Sequence, residues 1–214
     1  MTKKSLFSLL ALVAVLVGVP GTASADIIFF DNFGAWNTAV GGFENILFNE
    51  FGLTSTGNPV QGQGHQSGIV LDFFSNEILT TPASGQARIE AQDGSFNNLL
   101  VDAHLSNVFF RGVFFAINPA IGPQDQPVST TFTVFNQFGA SEQEIRSLDG
   151  SGLHLFGVMG TNGQSIDTVS FSGVPATDVR LFRIAPVPEP GSLLLLGSGL
   201  ALGIGKARRR FQSR

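Results

Sequence analysis

The sequence predicts an all-β fold, a single β-sandwich of jelly-roll type, on three observations. Gly, Asn, Asp, Ser and Pro recur about every 8 to 15 residues through the middle of the chain, the turn spacing of a sandwich. The runs between them are rich in Phe, Val, Ile and Thr, which suit a pleated, half-buried surface. Glycine (26 of 214 residues) and phenylalanine (21) are abundant, while cysteine is absent, so the core forms without disulfides. With 43% hydrophobic and 13% charged residues, wholesale disorder is excluded.

The elements follow in order within residues 26–185. "DIIFF" (Asp26 to Phe30) reads as a first strand. In "NFGAWNTAV", Phe33, Trp36 and Val40 recur at helical spacing and predict one short helix near the start. Glu44 to Phe51, Gly68 to Phe74, Ala87 to Ala91 and Asn98 to Leu105 read as strands. Asn107 to Asn118, "NVFFRGVFFAIN", is too apolar for a solvated edge and predicts a central strand with a bulge near Gly112. In "TTFTVFNQFG", Phe132 and Val134 alternate with Thr131 and Thr133. "GLHLFGVMG", "SIDTVSFSG" and "DVRLFRIA" complete the set.

The two ends are different. Lys3 and Lys4, the apolar run Leu6 to Val19, the Pro20-Gly21 break and the small residues Ala23 and Ala25 form a secretory signal, so residues 1–25 are expected as a signal-peptide helix and the mature chain begins at Asp26. At the other end, residues 186–214 hold Val187, Pro188, Glu189 and Pro190, then an apolar run over 191–205, then Lys206, Arg208, Arg209 and Arg210 in the tail 206–214. As a helix the run is about 22 Å long against a bilayer core of about 30 Å. Its all-apolar composition and the cations after it predict a short transmembrane helix with a basic cytoplasmic stop. Gly199 and Gly203 form a GxxxG, which in so glycine-rich a run reads as coincidence.

Pro188-Glu189-Pro190, a short apolar run and an arginine cluster, in that order at this end of the chain, resemble the PEP-CTERM sorting signal of Gram-negative bacteria. The resemblance implies export, transient retention in the inner membrane, and processing by an exosortase near Pro188-Glu189-Pro190. Signal peptidase would act at the other end. The family is associated with the cell surface, extracellular matrix and exopolysaccharide of biofilms. Pro190 holds the residue before it extended, a form that can thread into a protease groove. The C-terminal half, with "TFTVFNQFGA", "LFGVMG" and "SIDTVSFSG", is similar in strand rhythm to the lectin-like sandwiches found ahead of such tails.

Charge narrows the partners. Between Asp26 and Val187 stand fifteen acidic and five basic side chains, a net of −10 that the whole-chain −4 conceals. Such a surface repels phosphate backbones and excludes nucleic acid as a partner. It accommodates neutral glycans, or acidic polysaccharide bridged by divalent cations.

Signals for catalysis are absent from the motifs. His65, His104 and His154 lie about 40 to 50 residues apart with no HExxH. His104 and His154 fall in strand patterns, and His65 in the glycine-rich polar stretch "VQGQGHQSG", read as a loop. There is no GxSxG, GxGxxG or Walker lysine. Glu44 with Glu50, and Glu142 with Glu144, read as solvated surface acids rather than a glycosidase pair. The expectation is a non-enzyme without a cofactor. Asp149, Asp167 and Asp178, in turn-like stretches, are the candidate ligands for a structural calcium, although no EF-hand spacing is present. The chain is thus expected to be an exported surface or matrix protein; the alternatives are a glycan-binding module, with Trp36 as the only tryptophan for stacking, and a secreted hydrolase.

Overall fold

The computed structural model describes residues 27–48, 55–82, 88–106 and 108–187. Its elements are β1 (Ile27–Phe30), α1 (Phe33–Val40), β2 (Glu44–Phe48), β3 (Thr56–Gly57), β4 (Val60–Gly64), β5 (Val70–Phe74), β6 (Leu79–Thr80), β7 (Arg88–Ala91), β8 (Phe96–Ala103), β9 (Phe110–Pro119), β10 (Val128–Asn136), β11 (Ser141–Leu148), β12 (His154–Gly160) and β13 (Ile166–Pro186). Among the described residues the fold is mostly β with one short early helix, as expected. The expected signal-peptide helix (1–25) and the expected transmembrane helix (191–205) lie outside the described residues. Among the described residues no helix is long and apolar enough to cross a membrane.

The expected sandwich of two separate sheets gives way to one rolled sheet. Its strand order is β1-β12-β9-β13-β2-β4-β5-β8, and β8 then pairs with β13 again. The ring β13-β2-β4-β5-β8 therefore closes like a barrel, with β10 and β11 continuing from β13. The cause is β13. Ile166 and Pro186 both stand opposite Phe110, while Ala176 stands opposite Pro119, so the strand runs the length of β9 and returns. Its outgoing arm lies between β10 and β8, with Val169 opposite both Val134 and Val101. Its returning arm lies between β9 and β7, with Val179 opposite both Ile117 and Ile89, and then meets β2. The fold-over uses Gly173 at φ 114°, where a Cβ would sit 2.6 Å from the Ser129 carbonyl oxygen, so only glycine fits. A strand shared by both layers prevents the sheet from parting into two.

Phenylalanines fill the interior of the roll. Phe132 on β10 stacks on Phe156 of β12 with centroids 4.0 Å apart and planes 8° from parallel. Phe115 of β9 meets Phe156, Phe171 and Phe182 at 5.1, 6.4 and 5.2 Å. Arg146 of β11 lies over the Phe132 and Phe156 rings and donates to the Leu155 carbonyl (3.1 Å), bringing β11 against β12. An inward-pointing charge on an edge strand also discourages pairing with another chain.

The predicted helix is the observed one. Asn32 caps it by accepting from the Ala35 amide (3.1 Å), and Gly41 ends it at φ 73°. It packs outside the roll in a second small core with Phe114 and Met159. Trp36 is fully buried there, and its Nε1–H donates to the Val158 carbonyl (3.0 Å). Arg183 stacks over Phe33, 4.1 Å from its centroid.

Four strands escaped the sequence reading: the two-residue β3 and β6, and the longer β4 and β11. Val60–Gly64 reads as loop but forms β4, because Gly62 lets it lie flush on its neighbours: a Cβ there would sit 2.4 Å from Ile46 Cγ2. β11 reads as polar because its half-buried face is Glu142, Glu144 and Arg146, while Ile145 points outward. The central position and bulge expected near Gly112 are present: the register passes from Gly112 to Phe110 between Ala185 and Pro186, stepping over Arg111.

Candidate functional site

The place where the chain leaves the fold is set by β13. Phe182, Ile184 and Ala185 are buried, Pro186 is half-buried and still paired, and Val187 is exposed. The acid-proline stretch therefore follows the last core strand directly. Glu189 is three residues past Pro186, at most about 10 Å of chain. Around the exit, Gly41, Phe43, Glu44, Gln66 and Arg111 line a shallow recess of about 400 Å³ with Pro186. Arg111 donates to the Val40 carbonyl (3.1 Å), tying the end of α1 to the start of β9. Glu44 accepts from the Gln66 and Ser67 amides (2.5 and 2.9 Å) and from the Ser67 hydroxyl, so it closes the β4–β5 turn.

The first described strand comes to the same edge. Ile27 stands opposite Gly160, Met159 opposite Gly112, and Gly112 opposite Ala185. The first described residue and the end of β13 are thus three strand spacings apart, about 14 Å. Val187 is the one residue of the sorting stretch that is described. Pro188, Glu189, Pro190, Lys206, Arg208, Arg209 and Arg210, and the signal-cleavage residues Ala23, Ala25 and Asp26, lie outside the described residues.

Residues 186–210 match the PEP-CTERM protein-sorting motif. The match begins on the last residue of β13 and covers the acid-proline stretch, the apolar run and the arginines. It makes an exosortase the implied processing partner, and export to the cell envelope or surface the implied destination. No curated protein and no solved structure matches the chain, so the lectin-like resemblance of the folded part has no relative behind it.

A second site gathers polar groups that the sequence scatters. A concavity of about 530 Å³ is lined by Asp102, His104, Leu105, Phe109, Gln137 and Asp167 among others. Asp102 faces Asp72 across β8 and β5 and Thr168 across β8 and β13. His104 Nδ1 lies 2.7 Å from Asp72 Oδ2, and Gln61 Nε2 donates to Asp72 Oδ1 (2.9 Å). Burial, and next the negative charge of Asp167, push the Asp102 carboxyl up from its ordinary value. Strand pairing builds this cluster from residues 61 to 167, so no local motif could announce it.

The calcium candidates are not brought together. Asp149 accepts from the Ser151 amide (2.9 Å) and hydroxyl, which hold its pKa below the ordinary value, and lies 3.3 Å from His154 Nε2. Asp167 sits on the concavity near Asp102. Asp178 is bound to Arg180, whose Nε and Nη2 donate to Oδ1 and Oδ2 (2.6 and 2.7 Å), and to Asn118 Nδ2 (2.9 Å). No group of three or more His, Asp or Glu side chains is placed to hold a metal ion among the described residues. The expected carboxylate ligands stand at three separate places because the turn after β11, β13's outgoing arm and its returning arm carry one each.

The other candidates fall where structure uses them. His104 is the first residue after β8 rather than within it, and His154 opens β12 and bonds the Asp149 carbonyl (2.9 Å). His65 is exposed in the turn after β4. Glu142 and Glu144 do share a face, and Glu144 accepts from Arg146 (2.9 Å); Glu50 lies outside the described residues. Trp36, buried under Phe114, offers no face for stacking on a ligand.

Asp178 is expected to carry the clearest pH signature. Burial alone would raise its pKa, but bonds from Arg180 and Asn118 outweigh it and hold the carboxyl below its ordinary value. Its stabilising contribution is then complete above the ordinary Asp value of about 3.9 and lost as pH falls through the lowered one. Asp178→Asn is expected to cost about 2–3 kcal/mol at pH 7, less than a fully buried pair, because Arg180 keeps 25% of its side chain exposed. Urea titrations from pH 7 to 2 check this: the gap between the two proteins narrows only below about pH 4.

Proposed function

We propose that this chain is a non-catalytic, exported surface or extracellular-matrix protein of a Gram-negative bacterium, sorted by its C-terminal segment and associated with exopolysaccharide. Signal peptidase removes residues 1–25, leaving Asp26 at the new end. The run 191–205 with its basic tail then holds the precursor in the inner membrane. An exosortase cuts near Pro188-Glu189-Pro190 and releases the β-roll. The observation that carries the reading is that the sorting motif begins where β13 ends, so the cut removes the address and leaves every strand in place.

Intact-mass measurement on protein recovered from envelope and medium tests it. The expected masses correspond to a chain starting at Asp26 and ending between Val187 and Pro190. Full-length, uncut chain soluble in the cytosol would overturn the proposal.

A second reading, a glycan-binding module with or without calcium, is favoured by the concavity of Asp102, Asp167 and Gln137 beside Phe109, where carboxylates and an amide can accept and donate to sugar hydroxyls. A glycan array run with and without Ca²⁺ tests it; binding that Asp102→Ala leaves unchanged rejects this site.

A further inference from the structure

The rolled sheet has two poles, and one of them collects both ends of the chain. Ile27 stands opposite Gly160 on β12, the neighbouring Met159 opposite Gly112 on β9, and Gly112 opposite Ala185 on β13, so the first and last described strands end at one pole. Ile166, where β13 starts, also stands opposite Phe110 at this pole. Asn136 stands opposite Ile166, so the β10–β11 turn projects here, and the loop leaving β8 must arrive here to enter β9 at Phe110. The far pole carries the Gly173 fold-over, to which Ala120 is bonded, and the turn holding Gln124 and Asp125.

The near pole has apolar tips. Phe138, in the β10–β11 turn, is 70% exposed, and Leu105, in the loop after β8, is 66% exposed. They are two of the three most exposed large apolar side chains among the described residues; the third, Ile145, lies on β11. Solvated loop tips are ordinarily polar, so two bare apolar side chains at one end require an account.

We propose that this pole is the membrane-facing end of the precursor, with Phe138 and Leu105 resting in the lipid interface while both tethers are uncut. This rests on the reading that residues 191–205 hold the precursor in the membrane. The apolar run begins five residues after Pro186, at most about 17 Å of chain, so the domain cannot swing far from the surface. Ile27 follows the signal segment by two residues and Pro186 precedes the apolar run by five, and both lie at this pole, so this is the pole brought to the surface. Asp102 and Asp167 line, together with Leu105, the concavity beside this pole, and their charge opposes anionic headgroups, so the contact is shallow and made by the apolar tips. Cutting both tethers leaves only the tips, and the domain departs.

The absence of cysteine gives a direct test. Full-length precursor made by cell-free synthesis into phosphatidylethanolamine–phosphatidylglycerol vesicles contains no exosortase and stays uncut. Phe138→Cys, Leu105→Cys and Gln124→Cys, each labelled with an environment-sensitive fluorophore, report the two poles. The label at 138 and at 105 is expected to shift to the blue and to lose most of its emission to doxyl-labelled lipid, while the label at 124 keeps its emission in water. Vesicle flotation is read on the same samples. A precursor that floats but shows the same unquenched emission at 138, 105 and 124 overturns the orientation and leaves the sorting reading intact. A precursor that does not float overturns both.

Discussion

A chain that stops at Arg180 is expected not to fold, whereas one that stops at Val187 retains the whole cooperative transition. The shorter chain loses the end of β13's returning arm, with Phe182, Ile184 and Ala185, all buried. Phe182 packs against Phe48, Phe73 and Phe115, with the Phe73 centroid 4.7 Å away. Removing one buried Phe and one buried Ile costs about 3–5 and 2–5 kcal/mol, which together consume a typical domain stability of about 5–15 kcal/mol. The pairing of Arg183 and Ile184 with β2 goes as well, which opens the ring. Far-ultraviolet circular dichroism and urea titration of the two truncations check this. A folded Arg180-terminated chain would show that β13's last turnings are dispensable. The result matters for function, because it places the innermost cut that leaves an intact product between Arg180 and Val187.

Phe115→Ala is expected to lower stability by about 3–5 kcal/mol and the melting temperature by about 10 °C or more. Phe115 is fully buried on β9 and touches rings from both arms of β13 and from β12. It therefore joins the two layers that β13 shares, and its loss leaves a cavity that β-strands held at both ends cannot collapse to fill. Phe138→Ala, at the exposed tip, is expected to stay within about 0.5 kcal/mol of the native protein. Parallel thermal melts of the two variants read the difference. Equal effects at 115 and 138 would mean that the ring stack does not hold the roll together.

The legible features of the sequence were those set by neighbours along the chain. The turn rhythm and the β-formers announced strands, Phe33, Trp36 and Val40 announced the helix at its observed bounds, and the apolar run of Asn107 to Asn118 announced the central strand and its bulge. The sorting motif at residues 186–210 is of the same kind, because it is continuous in sequence. β4 and β11 were hidden because their inward sides are glycine or charged, and those residues enter the interior only when a particular strand lies opposite.

By its sequence alone, then, this chain determined most of its strands, the early helix Phe33–Val40, its acidic character and its sorting motif, since each depends on local composition or on residues a few positions apart. Tertiary structure decided the rest: that "SIDTVSFSG" and "DVRLFRIA" form one folded-over strand, that the sheet rolls instead of splitting, that Asp149, Asp167 and Asp178 stand apart while Asp102 and Asp167 line one concavity, and that Ile27 and Pro186 come to one edge of the sheet. Each of those outcomes joins residues tens of positions distant. Long-range pairing is chosen by how well whole strands pack and close, an energy that no short stretch carries in itself.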